Sequence, residues 1–200
     1  PEVVEKIYTY NQGTVLGASL EVALALRDDA GLDYDEPIDS FANSERADAS
    51  VFYITHIRAI VQAIALHLAT PQGVLISPKY ESGDGDGGLF KGILARYLAE
   101  VAVRLPQDSR ENIATRKIAA RLVRASAESL WQHRLEVDGL PVFAAEWTED
   151  ALLPHNYGFG PASISEAVGL VRIDERDLSV QLSGWMLLEA AARISRATGL

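Results

Sequence analysis

Two short segments hold the residues best equipped for chemistry. Tyr10-Asn11-Gln12-Gly13 opens one helical stretch, and Asp86-Gly87-Gly88-Leu89-Phe90-Lys91-Gly92 opens another. Each sets amides, a carboxylate or an ammonium beside glycines at an expected helix N-terminus. The first backbone N–H groups of a helix lack intrahelical acceptors there and can face a ligand. Such mouths suit a small polar molecule. A pair of carboxylates in a catalytic setting does not accompany them. Asp28-Asp29, the only adjacent aspartates, falls at the far end of the first helix before Gly31, where an exposed turn is the favoured reading. Asp84 and Asp86 are better placed, as ligand contacts or as turn and capping residues.

Other chemistries are absent from the pattern. There is no Gly-x-x-x-x-Gly-Lys-Ser/Thr phosphate loop, no Gly-x-Ser-x-Gly elbow and no His-Glu-x-x-His. His56, His67, His133 and His155 are dispersed, so no metal site is expected. The run Gly83-Asp84-Gly85-Asp86-Gly87 hints at calcium, but an EF-hand type of loop would place ligands where Gly88 and Ala95 stand. No cysteine is present, which removes disulfides and thiol nucleophiles. No cofactor is implied. A net charge of −10 without a basic cluster argues against nucleic acid and is compatible with a neutral ligand such as a sugar. No apolar run reaches the roughly 20 residues of a membrane span. No leader is visible, which leans slightly towards the cytoplasm and leaves the compartment open, since the chain starts at Pro1 without a Met.

Helices must position these residues. The periodicity predicts helices over 10–27 (Leu16, Leu20 and Ala23 inward) and 47–69 (Ile57, Ile60, Ile64 and Leu68, with Ser44 as N-cap). Leu89, Ile93, Tyr97, Val101 and Leu105, flanked by Phe90, Leu94, Leu98 and Ala102, predict a third helix that Pro106 stops. A fourth begins near Asp108 or Ser109 and runs to about His133 with Ile118, Leu122, Ala125 and Trp131 inward. A fifth runs from about Asp177 to Ala197 with Leu178, Leu182, Trp185 and Leu188 inward. Trp131 and Trp185 thus read as core. Val74–Ile76 and Val168–Ile173 are short β pairs at most. The connection 137–176, with three prolines and Phe143, Trp147, Tyr157 and Phe159, reads as a long packed loop that suits the wall of a cleft. Trp147, beside Glu146 and Glu149, could stack on a sugar ring or anchor the loop.

With these residues in view, a family resemblance emerges. Tyr10-Asn11-Gln12-Gly13 followed by Thr14-Val15-Leu16-Gly17 resembles the helix start of glycoside hydrolase family 76. GDGGLFKGILARYLAEVA is similar to that family's second signature, and DLSVQLSGWMLLEAAAR to the last inner helix of its bacterial, especially actinobacterial, members. The resemblance implies an all-α (α/α)6 toroid and endo-acting α-1,6-mannanase chemistry with retention, through two carboxyls about 5 Å apart. In the family these are two adjacent aspartates upstream of the Tyr-Asn-Gln-Gly motif. Only nine residues precede Tyr10 here and none is Asp, so no catalytic residue is assigned.

Five or six helices against the family's twelve imply one all-α domain over residues 1–200 that forms the C-terminal part of an incomplete toroid. By the resemblance, Asn11, Gln12, Asp86, Phe90, Lys91 and, more loosely, Trp147 border a cleft for α-mannan or a mannose-containing oligosaccharide. Exposed inner-helix surface then implies self-association. A non-catalytic carbohydrate-binding protein or helical scaffold of the same fold is the alternative.

Overall fold

A computed structural model describes residues 6–29, 45–79, 81, 85–152 and 177–199. The expected cap Ser44, the pair Val168–Ile173, and Asp84, His155, Tyr157 and Phe159 lie outside the described residues. Five α-helices dominate what is described: α1 (Thr9–Asp29), α2 (Glu45–His67), α3 (Phe90–Arg104), α4 (Arg110–Gln132) and α5 (Leu178–Thr198). The fold is all-α, as the periodicity predicts.

The helices form two layers. Gly13 of α1 faces Leu94 of α3, Gly17 faces Tyr97, and Glu21 pairs with Arg104, so α1 and α3 run parallel. Gly88 and Gly92 likewise meet Ser179 and Ser183, and Glu100 pairs with Arg193, so α5 is parallel to α3. The back layer runs the other way. Ser50, near the start of α2, donates its hydroxyl to the Ala23 carbonyl near the end of α1 (2.9 Å). Arg116, early in α4, donates to the Leu105 and Val103 carbonyls at the end of α3 (2.8 and 3.0 Å) and so satisfies helix-end acceptors. The N-termini of α1, α3 and α5 therefore gather at one end.

The core lies between the layers. Leu16, Leu20 and Ala23 are fully buried as expected, and Ile57, Ile64 and Leu68 are buried from α2. Asp48–His67 of α2 is apolar enough by length and composition to cross a membrane (mean hydropathy 1.5), a property its sequence reading did not flag. Only its inner stripe, Ile54, Ile57, Val61 and Ile64, is buried in the protein core; 28% of the stretch is buried, and Phe52 and Leu66 are exposed. On α3 the burial centres on Leu94, Leu98, Val101 and Ala102, with Ile93 and Tyr97 at its margin. The caps hold: the Ser109 hydroxyl accepts from Asn112 N (3.2 Å), and the Asp177 carboxylate accepts from Ser179 N (2.9 Å).

Three expectations need correction. On α5 the buried face is Val180, Ser183, Gly184, Leu187, Ala190 and Ile194, while Leu178, Leu182 and Trp185 are exposed. Close approach to α3 demands small residues at the contact, so the bulkiest stripe is not the inward one. Trp131 is 44% exposed, with the Arg134 guanidinium 4.1 Å from its ring centroid. The stretch after 137 is not wholly irregular. Leu135–Val137 and Leu140–Val142 pair antiparallel as β1 and β2. Asp138 (φ 51°) and Gly139 (φ 78°) make the two-residue turn, the Asp-Gly signal of a tight hairpin. Leu75 does make a short β contact, a single bridge to Ala69.

Candidate functional site

The mouth of α1 is already occupied by protein. Glu81, 72 residues along the chain from Thr9, accepts a short hydrogen bond from Thr9 N and another from Thr9 Oγ1 (3.0 Å). Its carboxylate thus caps α1 from a distant loop, satisfying an orphan N–H and complementing the dipole. At only 8% exposure, burial pushes the Glu81 pKa up, opposed by the Thr9 hydrogen bonds and by the Lys91 charge. Sequence reasoning missed Glu81, because a cap supplied from a glycine-rich loop leaves no local spacing signal.

The mouth of α3 is arranged differently. A 3-10 turn, Gly85–Leu89, leads into it, and Leu89 at the N-cap position offers no side-chain cap. Asp86 lies in that turn and is exposed to solvent. Lys91 is turned inward. Its ammonium donates to the Ala145 carbonyl (2.7 Å), pairs with Glu146 (3.1 Å) and lies 4.9 Å from the centroid of the Trp147 ring. Burial lowers the Lys91 pKa, and Glu146 and Glu81 oppose the shift. Trp147 is 1% exposed, and its carbonyl accepts from Ser129 Oγ (2.8 Å). The ring anchors the loop; it does not present a face to a ligand. Of the two sequence readings of Trp147, the exposed stacking one is therefore corrected.

The remaining residues divide between two sides of α1. Phe90 is half-buried, 4.4 Å from the Tyr10 ring and 5.9 Å from Tyr8 between centroids, so an aromatic trio joins the mouths of α1 and α3. Asn11 is half-buried on the face of α1 away from the core. Gln12, one residue on and so 100° round the helix, lines a cleft of about 440 Å³ with Ile7, Ala63, His67, Ile76 and Ser77. The structure therefore brings Phe90 and Lys91 to one mouth and sends Asn11 and Gln12 to different surfaces. The signature glycines also have a role apart from ligands. A Cβ on Gly13 would stand 2.9 Å from Leu94 Cα, and one on Gly92 would stand 2.8 Å from Ser183 Cα. They let the front helices touch.

No described carboxylate pair is set for cleavage. Both Glu81 oxygens are engaged by Thr9. Asp28 is exposed at the other end of α1, roughly 25 Å from the mouth at 1.5 Å per residue. Among the described residues, no three His, Cys, Asp or Glu side chains gather as a metal site.

No protein-family model and no curated protein matches the chain. Solved structures do. The chain is 28% identical to the GH76A α-1,6-mannanase from Salegentibacter sp. HEL1_6, with a TM-score of 0.58 over 95% of this chain and 41% of that one. It matches equally an inactive variant of that enzyme, with two aspartates replaced by asparagine, in complex with α-1,6-mannotriose (28% identity). A second inactive variant, with alanines there, in complex with α-1,6-mannotetrose matches at 26% identity and the same TM-score and coverage. This chain thus spans less than half the length of the mannanase it resembles. The likeness first carried by three sequence segments extends to the fold, and it relates the chain at the family level to the α-1,6-mannanases of glycoside hydrolase family 76.

Proposed function

We propose that this chain forms part of a family 76 type glycoside hydrolase acting on α-1,6-linked mannose polymers with retention, and that it supplies a sugar-binding wall. Asn11, Asp86 and Phe90 border the cleft in this reading, Gln12 faces the neighbouring cleft between α1 and α2, and Lys91 and Trp147 hold the loops from behind. The observation that carries it is the likeness, over 95% of this chain, to a mannanase that was solved with α-1,6-linked oligosaccharides. The two carboxyls that retention requires come in this reading from outside these 200 residues, since the family's adjacent aspartates precede the Tyr-Asn-Gln-Gly motif and no Asp precedes Tyr10 here. The free apolar surface of α2, including Phe52 and Leu66, packs in this account on further helices or on a second copy.

Hydrolysis of α-1,6-mannan by the full-length protein tests the reading. Activity that falls on Asp86→Ala or Asn11→Ala with folding intact supports the site. Unchanged activity in both variants removes these residues from it. A second reading, a carbohydrate-binding protein without turnover, is favoured by one observation: the chain's only Asp-Asp pair sits at the end of α1 remote from the mouths. Binding of mannose oligomers without any bond cleavage selects it.

A further inference from the structure

The free face of the front layer is marked by a chain of ion pairs near its C-terminal end. Arg104 of α3 pairs with Glu21 of α1 and lies 3.4 Å from Glu100, and Arg193 of α5 donates to Glu100 (2.8 Å). Steps of three and four residues towards the N-termini stay on the same stripe of each helix. They lead from Glu21 through Ala18 and Thr14 to Asn11, from Glu100 to Ile93, and from Arg193 through Glu189 to Trp185. At 1.5 Å per residue, Asn11 stands about 15 Å above the ladder and Trp185 about 12 Å above it. They therefore flank α3 at similar height, about 16–20 Å apart at ordinary interhelical spacings.

Trp185 is half in water and yet held in place. It is 51% exposed, and its ring meets Phe143 edge-on at 5.7 Å and 77°. Phe143 is fully buried against Gly184. The Gln181 side chain grips the Phe143 backbone from both sides, accepting from its N–H (3.0 Å) and donating to its carbonyl (2.9 Å). An indole resting on a ring so held offers an exposed apolar face. Its stripe and those beside it carry Glu189, Arg96, Thr14 and Asn11, side chains that can meet hydroxyl groups around a ring. A pyranose, apolar on its face and polar at its rim, fits that combination.

We propose that Trp185 is the stacking platform of a distal sugar subsite, reached together with Asn11 only by an oligosaccharide long enough to cross α3. The proposal rests on the mannan reading above. Calorimetric titration of the protein with α-1,6-mannobiose and α-1,6-mannotetraose tests it, using Trp185→Leu, which keeps apolar bulk, Trp185→Phe, which keeps an aromatic face, and Trp131→Ala. Trp185→Leu should weaken tetrasaccharide binding about five- to tenfold, with the disaccharide within about twofold. Trp185→Phe should retain most of the affinity, and Trp131→Ala all of it. Tetrasaccharide affinity unchanged in Trp185→Leu, or an equal loss for both sugars, overturns the subsite and leaves the mannan reading standing. Wild-type protein that binds neither sugar overturns both.

Discussion

The two ends of the front helix layer are built on opposite principles. At the C-terminal end, charges are spent on holding helices together. Arg27 is fully buried, pairing with Asp108 (2.8 Å), which also accepts from Asn112 (2.6 Å), and Arg58 donates to Asn112 (2.7 Å) and Ser109 (3.2 Å). The Glu21–Arg104–Glu100–Arg193 ladder crosses the free face nearby. At the N-terminal end, the charges of Glu81 and Lys91 are pulled inward, and amides and aromatic rings are left at the surface. If the proposed wall is right, strong electrostatics alone does not mark the functional site: among the described residues, the end with more ion pairs is the one that only holds helices together.

Substitutions should separate the two ends, beginning with the largest effect. Arg27→Ala leaves Asp108 buried without its ion pair and should destabilise the fold by about 3–5 kcal/mol in urea titration, with sugar binding by the folded fraction unaltered. Gly92→Ala forces a Cβ against Ser183 backbone and should cost about 1–3 kcal/mol. It should also disturb the mouth, so sugar affinity falls along with stability. If it left affinity untouched, the mouth would not depend on the contact of α3 with α5.

Glu81 gives a pH-dependent contrast. Burial raises its folded-state pKa above the ordinary 4.5. The folded protein then holds this proton more tightly than the unfolded chain does. The associated stability is fully present below about pH 4.5 and is lost as pH rises through the higher folded value. Glu81→Gln removes that dependence, so its stability relative to wild type should rise with pH across this window in chemical denaturation. A difference that is flat with pH would contradict the buried-carboxylate account. The smallest effect is expected at Glu21→Gln. Arg104 holds the Glu21 carboxyl below its usual pKa, but Glu21 is largely solvent-exposed. The change should be about 0.5 kcal/mol or less and fade in high salt.

Much of the fold was legible in the sequence because helix signals are local. The Ser109 and Asp177 caps, the Pro106 stop and the periodicity of Leu16, Leu20 and Ala23 can each be read within a few residues. The helix starts at both mouths were legible as well, at Thr9 and Phe90. What lay beyond local reading was direction and partnership. Trp185, expected in the core, is half-exposed, and Trp147, open to two readings, is buried, because burial of an indole depends on which neighbour arrives, not on its own stripe. Gly184 allows Phe143 to seat beside α5, which leaves Trp185 outside, whereas Lys91 and Ser129 close over Trp147. Glu81 reaches Thr9 from 72 residues away, and no spacing rule announces such a cap. The Asp138-Gly139 hairpin was announced by its dipeptide, but its strands are only three residues each.

The central claim is that the N-terminal end of the front layer is a wall for α-1,6-linked mannose. Incubation of the full-length protein with α-1,6-mannan, with products followed by proton NMR, tests it most directly. The account predicts shorter α-1,6-mannooligosaccharides that are released first as the α anomer, the signature of retention. Intact mannan, together with no measurable binding of α-1,6-mannotetraose, would contradict it.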